Sequence, residues 1–457
     1  MRNIFLSVCI LAITGCGSET PQSEEVASGV TLNLQNPDRE QTVVPRLSQE
    51  ERKTIEQLIA SARQAADLQK SPQAIEALSQ AIGIDPSDTR LLRMRADIYA
   101  SAGELASARA DFSSAILSDP VNAALRNVRG YFLMTNGVYE DALSDFAEAI
   151  RLDPRFAVAW NNRGLVYLRQ GKFSEAVEQF TMAVECDPEC VDGWNNIGFA
   201  QMKQGNLKQA LLNIERAIQL NPSYVAAWNN RGLINLRLKD YEAACTAFTK
   251  AIEHDDLDAR WYGHRQVALR ELKRFDEVAA DQRTIAWIQR LTQLTRHLNR
   301  NQKDAARWVD RGDCLAVGER YEAAINNYTN ALTLEPSNTD ALNARARIHA
   351  QTGHLQKALD DCEKSLVIEA SLEAFSIRGE TWLVMNNLDQ AIEDFESARR
   401  LDETFAQAYR DRGARRHSNG DQTGAEKDFQ AAQRIEDALA GRLPSTNTEP
   451  IPFPESE

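Results

Sequence analysis

Paired asparagines are the residues of this sequence whose type and spacing most clearly suggest binding chemistry. Trp160 is followed by Asn161 and Asn162, and the same Trp-Asn-Asn triplet returns at 194–196 and at 228–230. A side-chain amide offers both donors and an acceptor, so a row of amides can bind the main chain of an extended peptide. Such binding would not depend on the side chains of the peptide.

The seven cysteines and six histidines do not form a catalytic or metal-ligand pattern. His349 and His354 are five residues apart, which is wrong for a shared helical face. Cys186 and Cys190 flank a turn, and in an exported chain they either form a disulfide or remain free thiols. Three others fall at helical positions where small hydrophobic residues belong: Cys245, Cys314 and Cys362. With no phosphate-binding loop or nucleophile elbow either, we predict no enzyme, no catalytic residue, no metal and no cofactor.

The composition allows a large core and disfavours one class of partner. The chain has 457 residues, of which 43% are hydrophobic and 26% charged, with a formal net charge of −14. Nucleic-acid recognition normally requires a basic stripe, so the acidic balance argues against DNA or RNA. Solubility alone explains the excess of acids.

The N-terminus has the features of an export signal. An apolar run over residues 4–13 follows Arg2 and is too short to span a bilayer. Residues 13–16, ITGC, resemble the bacterial lipobox, which implies cleavage before Cys16 and acylation of Cys16. Two or three acyl chains hold a protein at a membrane where one does not, because each buried methylene contributes about 0.8 kcal/mol. The alternative is an ordinary signal peptide with a chance cysteine.

These features give the expected order of segments at the N-terminus. Residues 1–15 are predicted to be a lipoprotein signal peptide and 16–47 a flexible tether. The expected location is the bacterial cell envelope, with the outer membrane favoured over the inner one. Gly17 and Ser18 lack the Asp that retains some Gram-negative lipoproteins in the inner membrane.

A 34-residue period organises the rest of the chain. One repeat contains Trp160, Gly164 and Tyr167 on one helical face, then Gly171 at a turn, and a second helix that ends before Pro188. Repeats 1 to 11 begin near Ile55, Thr89, Ala123, Ala157, Val191, Val225, Ala259, Ala305, Thr339, Leu372 and Ala406. We number positions within a repeat from these residues. The residues expected to hold the stack together are Trp160, Gly164, Ala176, Phe180, Trp194, Gly198, Trp228 and Gly232.

The repeat resembles the tetratricopeptide pattern W-x2-L-G-x2-Y, A-x3-F, P, with Arg163 where leucine is expected. The resemblance implies an all-α solenoid, a right-handed superhelix of stacked helix-turn-helix units. One hairpin cannot cover its own apolar surface, so the units must stack. At the start, Ser48 and Glu51 form a capping box, and Ser71 is expected to cap the second helix.

The array is interrupted once, near residues 285–304. We expect six repeats over 48–258, a divergent repeat with an extended helix over 259–304, four repeats over 305–440, and a disordered tail over 441–457. Residues 283–303 contain four arginines and one lysine but no acid. They form either a lengthened helix that bridges two sub-arrays, or a basic docking face or hinge.

Positions 2, 5, 6, 9 and 13 of the first helices point away from the hairpin core. In the tetratricopeptide family these positions line a concave groove, and the amides are similar to the asparagine ladder of O-linked N-acetylglucosamine transferases. The predicted peptide-binding residues are Asn127, Tyr131, Asn161, Asn162, Leu165, Asn195, Asn196, Phe199, Asn229, Asn230 and Leu233. Position 12 (Met134, Leu168, Met202 and Leu236) lines the groove edge or packs against the next repeat. The alternative for the asparagines is inherited consensus with solvated amides.

Arginine recurs at position 7 and aspartate at position 23. Five repeats have both residues, and we interpret them as structural pairs that brace the two helices. The pairs are Arg95–Asp111, Arg129–Asp145, Arg345–Asp361, Arg378–Asp394 and Arg412–Asp428.

These observations predict a lipid-anchored scaffold or adaptor that binds an extended peptide or partner helix, in envelope complex assembly. The architecture looks like that of tetratricopeptide lipoproteins that help assemble outer-membrane machines. The alternative is an accessory subunit that recruits a cell-wall or glycan-modifying enzyme. Expected partners are other proteins, and the membrane through the acyl chains on Cys16.

Overall fold

The computed structural model describes residues 47–68 and 70–441, and every regular element within them is an α-helix. The predicted signal peptide, Cys16, most of the tether and nearly all of the tail lie outside the described residues. None of the described helices combines the length and the apolar character that crossing a bilayer requires.

Eleven pairs of consecutive helices follow one another along the described residues, as the period predicts. Repeats 1 to 6 comprise α1 (Gln49–Asp67), α2 (Ser71–Ile84), α3 (Thr89–Ser101), α4 (Leu105–Ser118), α5 (Ala123–Thr135), α6 (Tyr139–Leu152), α7 (Ala157–Arg169), α8 (Phe173–Cys186), α9 (Val191–Gln204), α10 (Leu207–Leu220), α11 (Val225–Leu238) and α12 (Tyr241–His254). Repeats 7 to 11 comprise α13 (Ala259–Glu271), α14 (Phe275–Arg300), α15 (Ala305–Val317), α16 (Tyr321–Leu334), α17 (Thr339–Gln351), α18 (Leu355–Ile368), α19 (Leu372–Val384), α20 (Leu388–Ser397), α21 (Glu403–Ser418) and α22 (Gln422–Leu439). Each of these pairs is one hairpin of the solenoid.

The two helices of a hairpin approach closely because position 8 is glycine in seven of the eleven repeats and alanine in three others. A Cβ atom on Gly164 would lie 2.6 Å from Cε1 of Phe180, a ring that is fully buried. Ala176, on the facing helix, is also fully buried. Gly171 has a φ of +74°, which glycine adopts without strain, so the chain can turn between α7 and α8. The predicted close approach of the two helices at Gly164 and Ala176 is confirmed.

Position 4 joins consecutive repeats. Trp160 is half-buried against Ala149 and Ile150 of the preceding hairpin, and its Nε1 donates to the carbonyl of Pro154 at 2.9 Å. Trp194 and Trp228 make the same bond at 2.9 and 2.7 Å. The tryptophan therefore contributes a hydrogen bond as well as apolar contact.

Backbone contacts divide the described residues into two compact parts, one up to Val278 and one from Ala279 onward. In the first part, Val278 at the start of α14 packs with the cluster that contains Leu269. In the second part, Leu291 and Leu294 of α14 pack with Leu315 of α15. The helix α14 is continuous over Phe275–Arg300, so the lengthened second helix is confirmed.

Two predicted caps at the N-terminus have different outcomes. Ser48 and Glu51 form the capping box, with both reciprocal bonds present. The prediction that Ser71 caps α2 is wrong, because Ser71 is the first helical residue, Lys70 occupies the cap position, and no side chain caps that end.

Candidate functional site

The predicted groove asparagines bond to one another across repeat boundaries. In each bond, Nδ2 of position 6 donates to Oδ1 of position 5 in the preceding repeat, 35 residues earlier. The bonds are Asn162 to Asn127 at 3.0 Å, Asn196 to Asn161 at 3.0 Å and Asn230 to Asn195 at 2.9 Å. We call this row the asparagine ladder. It ties the first helices α5, α7, α9 and α11 together.

Burial of the asparagine ladder corrects the expectation of an exposed row of amides. Five of the seven predicted groove asparagines are buried: Asn127, Asn162, Asn195, Asn229 and Asn230. Asn161 and Asn196 are half-buried and accessible. The alternative of solvated amides is therefore wrong for most of the row, because the amides pair within the stack. Sequence reasoning placed them on one face but missed their pairing partners.

His264 continues the asparagine ladder into repeat 7. Its Nδ1 lies 2.8 Å from Oδ1 of Asn229, again 35 residues earlier. An amide oxygen accepts, so Nδ1 carries the proton. The ring packs against Phe248 and Trp261. Burial lowers the pKa of His264, which favours the neutral imidazole.

Three buried amide atoms near the predicted groove positions have no hydrogen-bond partner among the described residues. They are Nδ2 of Asn229, Oδ1 of Asn230 and Oδ1 of Asn343. Oδ1 of Asn343 lacks a partner because position 6 of the next repeat is Ile377, whose side chain has no hydrogen-bond donor. Asn229 and Asn230 are adjacent, so they place an unpaired donor beside an unpaired acceptor.

The apolar row beside the asparagine ladder is partly core. Leu165 is buried, so its prediction as a groove residue is corrected. Met134 and Met202 at position 12 are also buried, each in a hydrophobic cluster with the residues of the next repeat, while Leu168 and Leu236 are half-buried. The half-buried residues that remain at position 9 are Tyr131, Phe199 and Leu233.

Position 13 carries a cation in repeats 4, 5 and 6. Arg169 Nη1 donates to the carbonyl of Met134 at 3.3 Å, and Arg237 Nη1 donates to that of Met202 at 2.6 Å. Lys203 Nζ lies 5.0 Å from the centre of the Phe199 ring. The arginines satisfy carbonyls at the end of the preceding first helix. Sequence reasoning missed this role, although the recurrence at position 13 was visible.

The five predicted arginine–aspartate pairs are confirmed. In each pair Nε and Nη2 donate to the two carboxylate oxygens, a two-bond geometry that strengthens the pair. The Nε distances are 2.7 Å for Arg95–Asp111, 2.7 Å for Arg129–Asp145, 2.7 Å for Arg345–Asp361, 2.8 Å for Arg378–Asp394 and 3.1 Å for Arg412–Asp428. Where position 23 is an amide, the arginine bonds to it instead, as Arg163 Nε does to Gln179 at 2.8 Å.

Arginines at position 7 also reach the preceding repeat, which the sequence analysis did not predict. A guanidinium nitrogen donates to a hydroxyl 16 residues earlier, on the second helix of that repeat. The hydroxyl is at position 25 in four cases, and in the longer repeat 7 it is at position 37. The bonds are Arg95 to Ser79 at 2.8 Å, Arg129 to Ser113 at 3.0 Å, Arg265 to Thr249 at 3.0 Å, Arg311 to Thr295 at 3.0 Å and Arg345 to Thr329 at 2.9 Å. Thr295 lies on α14, so the end of that helix serves repeat 8 as a preceding second helix.

The cysteines and histidines form no metal centre in the part of the chain that the structure describes. Cys245, Cys314 and Cys362 are buried thiols, and burial raises the pKa of Cys362 to about 12. Cys186 is a free thiol, so it is not joined to Cys190.

The two histidines are closer together than their spacing suggested. The rings of His349 and His354 lie 5.8 Å apart, because the chain turns between α17 and α18. The Nδ1 of His349 is buried without a partner among the described residues, and burial lowers the pKa of this histidine.

Comparisons with known proteins locate the repeats independently. A family model described as Tetratricopeptide repeat matches residues 59–123, 127–189, 196–260 and 294–372, more than half of the 457 residues. No curated protein matches the chain.

Among solved structures, the chain is similar to Pseudomonas aeruginosa PilF (20% identity, 49% of this chain, 100% of that chain, TM-score 0.41). It is similar to PilW, a type IV pilus biogenesis factor (19% identity, 49% and 100%, TM-score 0.41). It is also similar to YrrB, described as having an unusual peptide-binding site (20% identity, 51% and 97%, TM-score 0.30).

Proposed function

Because the chain belongs to the tetratricopeptide repeat family, we propose that it is a protein-binding scaffold whose asparagine ladder binds an extended peptide. The observation that carries the proposal is the row of side-chain hydrogen bonds between repeats 3 to 7, in which Asn161 and Asn196 remain accessible. Pairing fixes the orientation of these amides before a ligand arrives. Preorganised polar groups bind at lower entropic cost.

Each paired amide retains hydrogen-bonding capacity. In the Asn161–Asn196 bond, one N–H of Asn196 and one lone pair of Asn161 are used. The second N–H of Asn196, its carbonyl oxygen and the amide hydrogens of Asn161 remain. A peptide main chain, which presents N–H and C=O groups in alternation, can use these.

The side chains beside the amides suggest the preferred peptide composition. Tyr131, Phe199 and Leu233 offer half-buried apolar surface. Arg169 and Lys203 add positive charge in a chain of net charge −14. We therefore expect apolar residues interspersed with Asp or Glu in the ligand.

Substitution of the two accessible amides tests the groove. Peptides would be selected with the full chain from a random phage-displayed library, and their affinity measured by fluorescence anisotropy. We expect Asn161→Ala with Asn196→Ala to weaken binding about tenfold, since two hydrogen bonds contribute about 0.5–1.5 kcal/mol each.

The matched control is Asn326→Ala with Asn330→Ala, two exposed amides on the second helix α16. This control should leave the affinity unchanged. Equal affinities of wild type and the groove variant, or an equal loss in the control, would contradict the proposal.

We further propose that acyl chains on Cys16 anchor the scaffold at the cell envelope, on the periplasmic face of the outer membrane. The support is the ITGC sequence at residues 13–16 and the absence of Asp at positions 17 and 18. Cys16→Ser should move the protein from the membrane fraction to the soluble fraction and abolish incorporation of labelled palmitate. Membrane retention in that variant would favour another mode of attachment.

The identity of the partner would distinguish a role in envelope complex assembly from recruitment of a cell-wall or glycan-modifying enzyme. Crosslinking in cells, followed by mass spectrometry, would identify that partner.

A further inference from the structure

The outward face of α14 carries positive charge that the described part of the chain does not neutralise. Arg283, Arg290, Arg296 and Arg300 are exposed, and Lys303 follows in the next turn. No Asp or Glu occurs between residues 283 and 303. None of these five side chains forms an ion pair with a described residue, in contrast to the paired arginines at position 7.

The charges form a continuous stripe along the helix. Arg283, Arg290 and His297 are spaced by seven residues, so they lie almost on one line. Arg300 lies three residues beyond His297, next to that line. The distance from Arg283 to Arg300 is about 26 Å at the helical rise of 1.5 Å per residue. We call this set, with Arg296, the basic stripe.

A surface cavity accompanies the C-terminal half of the basic stripe. It has a volume of about 410 Å³ and is lined by Gln293, Arg296, His297 and Arg300. The guanidinium groups therefore flank a concave site and not a flat surface. Arginine presents N–H groups in a planar fork that matches a carboxylate with two parallel bonds.

The opposite face of α14 is already occupied. Ile288, Leu291, Leu294 and Leu298 are buried. The helix therefore has no free apolar face to insert into a bilayer, which interfacial helices require. The covered apolar face therefore favours a protein over a membrane as the ligand.

We propose that the basic stripe of α14 is a second docking surface, which binds an acidic segment of a partner protein. The length of the stripe accommodates about five helical turns or eight extended residues of that segment. Carboxylates of the partner pair with Arg290, Arg296 and Arg300. This surface is separate from the asparagine ladder and does not depend on the function proposed for it.

The test uses the full chain and a fluorescein-labelled 18-residue Glu-rich peptide, with the Gln counterpart as the uncharged probe. Binding is measured by anisotropy at 50 and 300 mM NaCl. We expect the wild type to bind the Glu peptide only, with weaker binding at the higher salt, because exposed charges are screened. Combined Arg290→Glu, Arg296→Glu and Arg300→Glu should weaken binding at least about tenfold.

The control carries the same change in charge at another place. Combined Arg52→Glu, Lys53→Glu and Arg63→Glu alters three exposed cations of α1 and should change the affinity less than about twofold. Should the Glu triple fail to fold by circular dichroism, the neutral triple with Gln at 290, 296 and 300 replaces it.

Three results would overturn the proposal. The first is no binding of the Glu peptide by the wild type at 50 mM NaCl. The second is an equal loss in both triples, which would indicate net charge alone. The third is stripe-dependent binding to phosphatidylglycerol vesicles without binding to the Glu peptide, which would identify a membrane face. Substitution of Asn161 and Asn196 should leave Glu-peptide binding unchanged, so the two proposals fail separately.

Discussion

The asparagine ladder makes a quantitative prediction about how neighbouring repeats are coupled. Asn230 Nδ2 donates to Asn195 Oδ1 at 2.9 Å, and the two residues are 3% and 5% exposed. Asn195→Ala would leave Nδ2 of Asn230 buried without an acceptor. Because Oδ1 of Asn230 already lacks a partner among the described residues, the whole amide would be unpaired.

The expected cost follows from burial. An unpaired buried polar group costs about 1–3 kcal/mol, so each single substitution should lower the local free energy of unfolding by about 2 kcal/mol. The double substitution leaves no unpaired atom at this bond, but it still loses the bond and the packing of two buried side chains. It should therefore cost about 2–3 kcal/mol, which is less than the sum of the two single costs and corresponds to a coupling energy of about 1–2 kcal/mol.

Hydrogen exchange of the full chain, followed by mass spectrometry, suits this measurement. Repeat arrays open locally, and a single global unfolding energy is not well defined for them. Exchange in peptides from α9 and α11 reports the opening free energy of the two helices that the bond joins.

Asn161 and Asn196 provide the matched pair, because the same bond forms at 3.0 Å between half-buried residues. Water can replace a lost partner there, so single substitutions should cost less than about 1 kcal/mol. The reasoning fails if the Asn195 and Asn230 effects are additive within about 0.5 kcal/mol. It also fails if the accessible pair costs as much as the buried one.

Three further predictions concern the hairpins and the end of the asparagine ladder. Ala176→Leu should overpack a fully buried contact and cost about 1–3 kcal/mol, visible as a lower melting temperature; an unchanged value would contradict it. Gly232→Ala would place a Cβ 2.4 Å from the buried ring of Phe248 and should lower the local opening free energy of α11 by about 1–3 kcal/mol in hydrogen exchange. Gly263→Ala, whose Cβ would have nothing within 4 Å, should leave that of α13 unchanged or raise it by up to about 1 kcal/mol. Burial lowers the pKa of His264 from 6.5, so its contribution to stability is present above that pH and is lost as pH falls toward the folded-state pKa. The urea midpoint should therefore drop between pH 7.5 and 5, and His264→Gln should reduce that drop; an identical drop in the variant would argue against His264 as its source.

The repeat boundaries could be predicted from the sequence because the packing of one hairpin requires particular residue types at fixed positions, and these recur every 34 residues. The starts predicted at Ala157 and Val191 coincide with the first residues of α7 and α9. The Arg129–Asp145 pair was predictable for the same reason, since its two residues belong to one hairpin and recur at a fixed spacing of 16.

The contacts between repeats were harder to predict. The periodicity of a single helix places Asn162 and Asn127 each on an outward face. Their hydrogen bond to one another depends on how closely α5 and α7 approach in the stack, which that periodicity does not show. Leu165 was misplaced for the same reason, since the neighbouring repeat covers it. His349 and His354 were judged on helical spacing alone, which does not apply across a turn.

The hydroxyls at position 25 make the contact between consecutive repeats asymmetric, because loss of this contact affects its two sides differently. Ser113 Oγ donates to the carbonyl of Arg109 at 2.8 Å while it accepts from Arg129. If the later repeat frays, Ser113 keeps its own carbonyl bond and loses little. If the earlier repeat frays, Arg129 is left with an N–H that has lost its acceptor. Loss of ordered structure should therefore spread more readily from an N-terminal repeat to the one that follows it than in the reverse direction.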